Sequence, residues 1–325
     1  MISGIKIAIS FLSLILLLQN NVFAQQMSAD KVDSSSTKSK EANLISSVGS
    51  VIVAAVEGND KKDSTNTNGY MPSGKYATAN RRYFKMIDSL VKVISEYPIQ
   101  DSAGLSYAAD WVGTPNMGLR RPNYVIIHHT ATNSFNEVLQ EFITPGGREA
   151  SAHYVISKDG TVYHMLNDLL RSHHAGDSKW GNTTDLNSSS IGIELVNNGY
   201  EPFPDEQISS LTILLDRLKA AYKIPVANFI GHSDIAPTRK VDPSKQFPWK
   251  ELSSKGFGLW WEDTMNVEVP DDFDYLMALR IIGYDISSPA SAVAAFKRHF
   301  LQDDSGGNVN AFVRKVIYIL YRKYQ

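Results

Sequence analysis

Seven of the eight histidines in this 325-residue chain lie between positions 128 and 232, and histidines placed for packing alone would not crowd in this way. Neutral imidazole is a metal ligand. A catalytic zinc is held by three His or carboxylate side chains arriving from different elements, with a fourth position left for water. His128 closes the apolar run Tyr124-Val125-Ile126-Ile127, and His232 follows another at 226–230. Each therefore stands at the carboxyl end of an expected strand, where loops converge and sites tend to form. Asp242 comes ten residues after His232, on a segment stiffened by Pro237 and Pro243, and folding back it can bring a carboxylate to the same place. There is no cysteine, so thiolate ligands, disulfides and lipid on a cysteine are excluded, and a metal must be held by His, Asp and Glu. Spacing alone leaves open that the three residues are unrelated.

Two further groups carry potential chemistry. Glu194 alternates with Ile193 and Leu195 on an expected strand; such a carboxylate is either an outward-facing residue or an inward, functional one. Lys240 sits two residues before Asp242, where a fixed positive charge can stabilise a developing oxyanion; the plainer reading is a solvated lysine. His129, next to His128 on a strand, points to the opposite face and reads as a supporting or core residue. His164 and His173 read as structural.

Elements able to position these groups follow from periodicity. The run 124–127 suits a buried strand. Strands at 152–157 and 161–166 flank Lys158-Asp159-Gly160, a hairpin turn with Asp-Gly at its centre. Further strands are expected at 191–196 and 226–230. Over 205–222, Ile208, Leu211, Leu214, Leu215, Leu218 and Tyr222 fall on one helix face. Residues 83–97 predict a helix that caps the main domain, and 273–283, 290–301 and 309–324 predict three more. The fold class expected is α/β: a mixed central sheet flanked by helices, followed by a small three-helix domain.

The segments YVIIHHTAT (124–132), SAHYVISKDGTVYHM (151–165), HHAGDSKWG (173–181), SSIGIELVN (189–197) and GHSDIAPTRKVDPSKQFPW (231–249) resemble the N-acetylmuramoyl-L-alanine amidase type 2 family, and within it the AmiD-type branch. The likeness spans about 120–325. It implies a zinc enzyme that hydrolyses the amide between the lactyl group of N-acetylmuramic acid and L-alanine in peptidoglycan. It places the zinc ligands at His128, His232 and Asp242, the catalytic carboxylate at Glu194 and a functional lysine at Lys240. It also suggests His153 and His174 as substrate contacts, since family members hold the glycan or stem peptide with these loops. Trp180 is an aromatic surface for substrate or a core residue, and Arg239 either meets a stem-peptide carboxylate or has no partner. The C-terminal helices resemble a peptidoglycan-binding-type bundle, with a degenerate loop at 303–307. A rival reading is a receptor that keeps the fold and binds peptidoglycan without cutting; the complete ligand set weighs against it.

The remaining expectations concern organisation. A formal net charge of -2 gives no electrostatic reason to bind nucleic acid. Lys6, the apolar run 7–18 and Val22-Phe23-Ala24 read as an export signal at 1–24, with the run too short for a comfortable membrane span. Residues 25–79, rich in Ser, Asn, Asp and Lys, read as a linker, interrupted by an apolar patch at 44–56 with no assigned role. The amidase-like domain is expected at 80–262 and the helical domain at 268–325. The expected product is an exported, periplasmic or secreted monomer without a stable membrane anchor. AmiD-type enzymes are typically held by an acylated cysteine, which this chain lacks.

Overall fold

A computed structural model describes residues 72–95, 118–143 and 150–325. The export signal, the apolar patch and nearly all of the linker lie outside the described residues. The chain forms two compact units, 1–109 and 110–325. In the first, helix α1 runs over Ala77–Ser95, starting six residues before the expected 83. The second unit holds everything else that is described.

Its centre is a five-stranded sheet. Strand β1 (Tyr124–His129) is followed by helix α2 (Phe135–Ile143), the hairpin β2 (Tyr154–Ile156) and β3 (Val162–His164), a short helix α3 (Leu186–Ser189), β4 (Ser190–Leu195), the long helix α4 (Asp205–Tyr222) and β5 (Phe229–Gly231). The order across the sheet is β3-β2-β4-β1-β5. The pairs β1–β4, β1–β5 and β2–β4 are parallel and β2–β3 is antiparallel, so the sheet is mixed, as expected. The interior strand β1, between β4 and β5, is buried on both sides, which is why it reads as a continuous apolar run. At the β2–β3 turn, Gly160 has φ of +80°, and an added Cβ would stand 2.7 Å from the Glu206 carbonyl oxygen. Glycine there serves both the turn and the close approach of α4.

Alternate residues of β1 serve two cores. Val125 and Ile127 join Ile191, Ile193 and Leu195 beneath the Ile208, Leu211, Leu215 and Leu218 stripe of α4. Ile126 and Ile230 face the other way. They share a core with Leu279, Phe296, Val316 and Leu320, which come from the C-terminal helices α7 (Tyr275–Ile282), α8 (Pro289–Leu301) and α9 (Ala311–Tyr324). Two small helices, α5 (His232–Ile235) and α6 (Trp249–Ser254), connect β5 to them. The three helices expected as a domain from 268 thus cover one face of the catalytic sheet within the same compact unit. The strand expected at 226–230 is shorter: Val226–Asn228 after Pro225 forms a 3₁₀ turn and pairing begins at Phe229.

Candidate metal centre

His128, His232 and Asp242 meet. Their side chains are buried, with His128 Nδ1 2.9 Å from His232 Nδ1, His128 Nδ1 3.2 Å from Asp242 Oδ2 and His232 Nδ1 2.9 Å from the same oxygen. Three elements bring them together: the end of β1, the start of α5 after β5, and the loop beyond α5, which returns to the site through the Ser233 amide donating to the Asp242 carbonyl at 2.7 Å.

The surrounding hydrogen bonds assign the tautomers. The Ser190 hydroxyl donates its only proton to the Leu186 carbonyl. At 3.0 Å from His174 Nε2, the Ser190 oxygen must therefore accept, and the proton of His174 lies on Nε2. Burial, with the neighbouring histidines adding to it, holds His174 well below the usual imidazole range, so its ring is neutral and Nδ1 is bare. That nitrogen accepts from His128 Nε2–H at 3.0 Å. His128 is likewise neutral, lowered to about 4 by burial first and by His232 second, and so presents a bare Nδ1 to the centre. His232 Nε2 lies 3.1 Å from the Ala175 carbonyl, which can only accept, leaving the His232 Nδ1 lone pair facing inward as well. Burial works against a charged Asp242, yet the nearby His232 outweighs it, and the carboxyl is held well below its ordinary range.

Two lone pairs and a carboxylate oxygen thus lie within 3.2 Å of one another with no proton among them. Such a set repels itself unless a cation sits between. Three ligands of one tetrahedral zinc stand about 3.3 Å apart, close to the spacing seen, and the N/N/O donor set suits zinc. Among the described residues this is the single group of three or more His or carboxylate side chains close enough to share an ion.

Glu194 is registered opposite His128 in the parallel β1–β4 pair, so both side chains leave the same sheet face. Lys240 is half-buried, and its charge is near enough to help depress His128. His129 lies on the other face, where its Nδ1 accepts from the Ser244 amide at 3.1 Å and steadies the chain just after Asp242.

The residues suggested as substrate contacts are placed differently. His153 is fully buried: Arg120 stands 2.7 Å from its Nε2, and Ser172 and the Gly192 amide meet its Nδ1 at 2.9 and 3.1 Å. His174 is the buried support behind His128. Its ring lies over Gly192, where an added Cβ would stand 2.4 Å away. Trp180 is in the core, edge-on to Tyr284 at 5.0 Å. All three side chains are buried, and for Trp180 this matches the core reading given beside the surface one. Arg239 donates to the Ala175 and Asp177 carbonyls at 2.9 and 2.6 Å, tying down the loop whose Ala175 carbonyl orients His232. The sequence reading missed Ser190, Arg120 and Asp234. Gly192, a glycine inside a strand, was the available signal of a close approach.

Comparison with known proteins follows the same outline. The family described as N-acetylmuramoyl-L-alanine amidase matches residues 118–245. The chain is 28% identical over 279 residues to the N-acetylmuramoyl-L-alanine amidase AmiD of Escherichia coli, covering 75% of this chain and 99% of that protein. It is similar to the N-acetylmuramoyl-L-alanine amidase type 2 family, and within it to the AmiD-type branch. Among solved structures of this family, it resembles E. coli AmiD in complex with anhydro-N-acetylmuramic acid-L-Ala-D-γ-Glu-L-Lys, with a TM-score of 0.56 at 28% identity over 65% of this chain and 93% of that one. It also resembles AmpDh3 from Pseudomonas aeruginosa, with a TM-score of 0.58 at 29% identity over 68% of this chain and 99% of the other. The family match ends at 245, before the C-terminal helices that cover the sheet.

Proposed function

We propose that this protein is a zinc-dependent N-acetylmuramoyl-L-alanine amidase that cleaves peptidoglycan or its fragments between the lactyl group of N-acetylmuramic acid and L-alanine. The observation that carries the zinc assignment is the close, buried triangle of His128, His232 and Asp242 side-chain atoms. Support for the bond cleaved comes from the names of its relatives and from the muropeptide bound to E. coli AmiD. When bound, zinc lowers the pKa of a water and polarises a carbonyl oxygen.

The chain's own groups supply the proton traffic and the charge. Glu194, on the face of His128, takes a proton from the attacking water as its oxygen bonds to the lactyl carbonyl carbon. As the carbon–nitrogen bond breaks, Glu194 returns that proton to the L-alanine nitrogen, giving a lactyl carboxyl and a free stem-peptide amine. Lys240 holds a positive charge beside the carbonyl oxygen while that oxygen carries negative charge. His174, Ser190 and the Ala175 carbonyl keep both histidines in the tautomer that binds metal. We place this activity outside the cytoplasm, on the strength of the signal-like residues 1–24.

Muropeptide analysis of peptidoglycan incubated with the protein tests the reading. Stem peptides beginning at L-alanine should be released, release should stop with a chelator, and added zinc should restore it. Folded, zinc-loaded protein that binds peptidoglycan and releases nothing would establish the receptor reading instead.

A further inference from the structure

Asp234 lies two residues beyond His232 and is 1% exposed, and it is not part of the His128, His232 and Asp242 group. It accepts three hydrogen bonds. The Gly231 amide donates to Oδ2 at 2.7 Å, His299 Nδ1 donates to the same oxygen at 2.7 Å, and the Tyr284 hydroxyl donates to Oδ1 at 2.7 Å. The first bond fixes the Ile230–Gly231 peptide, at the residue that precedes His232. The other two come from the C-terminal helices, whose Tyr284 and His299 are 2% and 3% exposed. Trp249 stacks on His299 with ring centroids 3.9 Å apart. An added Cβ at Gly231 would meet Pro243 Cδ at 2.9 Å and Asp234 Oδ2 at 3.1 Å, so strand end, ligand loop and carboxylate leave no slack.

The same helices reach the other support of His232. The Gly283 carbonyl accepts from the Gly181 amide at 2.7 Å, and the Lys179 amide donates to the Ile235 carbonyl at 2.8 Å. The loop that carries the Ala175 carbonyl is thereby tied at its far end to the turn after α7 and to α5. A module that served only to hold the enzyme on its substrate would have no need to place two buried donors on a carboxylate beside a metal ligand.

We propose that Tyr284 and His299 are positioning residues for the metal centre, acting through Asp234 and the Gly231 peptide to set His232. The C-terminal helices would then complete the catalytic site rather than only tether it. This rests on the zinc reading above, and the test separates the two: absence of any zinc binding by the unaltered protein would defeat that reading, whereas the inference turns on differences between variants.

The experiment is zinc affinity by chelator competition on the full chain, alongside turnover of a soluble muropeptide. Tyr284→Phe removes one oxygen and keeps the ring between Trp180 and Phe296. It should weaken zinc binding by up to about tenfold, as loss of a partner outside the ligand set does elsewhere, and lower kcat with KM little changed. His299→Asn, which keeps a donor near the Nδ1 position, should stay within about twofold of the unaltered affinity, while His299→Phe, which keeps the stack on Trp249 and loses the donor, should fall as Tyr284→Phe does. Unaltered zinc affinity and kcat in both Tyr284→Phe and His299→Phe would overturn the proposal, as would variants whose only defect is a raised KM on insoluble peptidoglycan. If Tyr284→Phe fails to fold, the His299 pair decides alone.

Discussion

At the scale of single residues, the centre is defined as much by where protons are held as by the ligands themselves. Ser190 touches no ligand, yet its hydroxyl forces the proton of His174 onto Nε2, and this leaves His128 Nδ1 bare. Ser190→Ala removes that constraint, and zinc affinity should drop by about tenfold while far-ultraviolet circular dichroism stays unchanged; equal affinity would show that the chain of bonds is not what sets the tautomer. Glu194→Gln should retain zinc and lose on the order of 10²–10⁴-fold in turnover, and full activity in that variant would remove Glu194 from the mechanism. The two histidines were legible as candidates at expected strand ends, and it was the family resemblance, not spacing, that joined Asp242 to them. The supporting residues were not legible. His153 and His174 carry the same side chain as His128, and residue type does not say whether an imidazole meets a substrate or the underside of a ligand; only Arg120 and Ser190 folded against them decide it.

At the scale of elements, the same histidines give the metal-free protein an acid sensitivity. His128 and His153 are each lowered by burial to about 4, against an unfolded value of about 6.5. In that interval the unfolded chain binds more protons than the folded one, so the stability they permit is intact above about 6.5 and is lost as pH falls toward 4. Denaturant titrations of the zinc-free protein should show a drop on the order of 3 kcal/mol per histidine between pH 7 and pH 4; a flat profile would mean that the rings admit water. Strand β4 has its own constraint at Gly192, where His174 fills the place of a side chain. Gly192→Ala should cost roughly 1–3 kcal/mol from overpacking, with weaker zinc binding as His174 is pushed aside. Among the elements, helix α4 reads from the sequence at its observed bounds because six apolar positions share one face. The strand expected from 226 does not, because Pro225 and the exposed Val226 favour a tight turn that local hydropathy does not reveal.

At the scale of the whole molecule, the C-terminal helices read correctly as helices, but their partner could not be read. Leu279, Phe296, Val316 and Leu320 show the periodicity of any small bundle, and only the fold shows that they cover Ile126 and Ile230 of the sheet. A chain ending at 267 would leave that sheet face exposed to water and Asp234 without its Tyr284 and His299 donors. It should be recovered as aggregate or with a markedly lower Tm, whereas a tethering module would come away leaving a soluble, active amidase. Either outcome is read directly from expression and a thermal melt.

The order of strands across the sheet, β3-β2-β4-β1-β5, has a bearing on timing. Strand β1, fourth in that order, is the first of the five to be synthesised, and both of its neighbours follow, one of them ending at Gly231, more than a hundred residues after Tyr124 starts it. Chain emerging from a ribosome therefore presents β1 with no sheet partner until β4 at Ser190–Leu195 has followed, and with its second only when β5 is made. Non-local pairing of this kind is slow to form. His128 waits with the strand, so its cluster with His232 and Asp242 cannot close until β5 and the loop after α5 have been made.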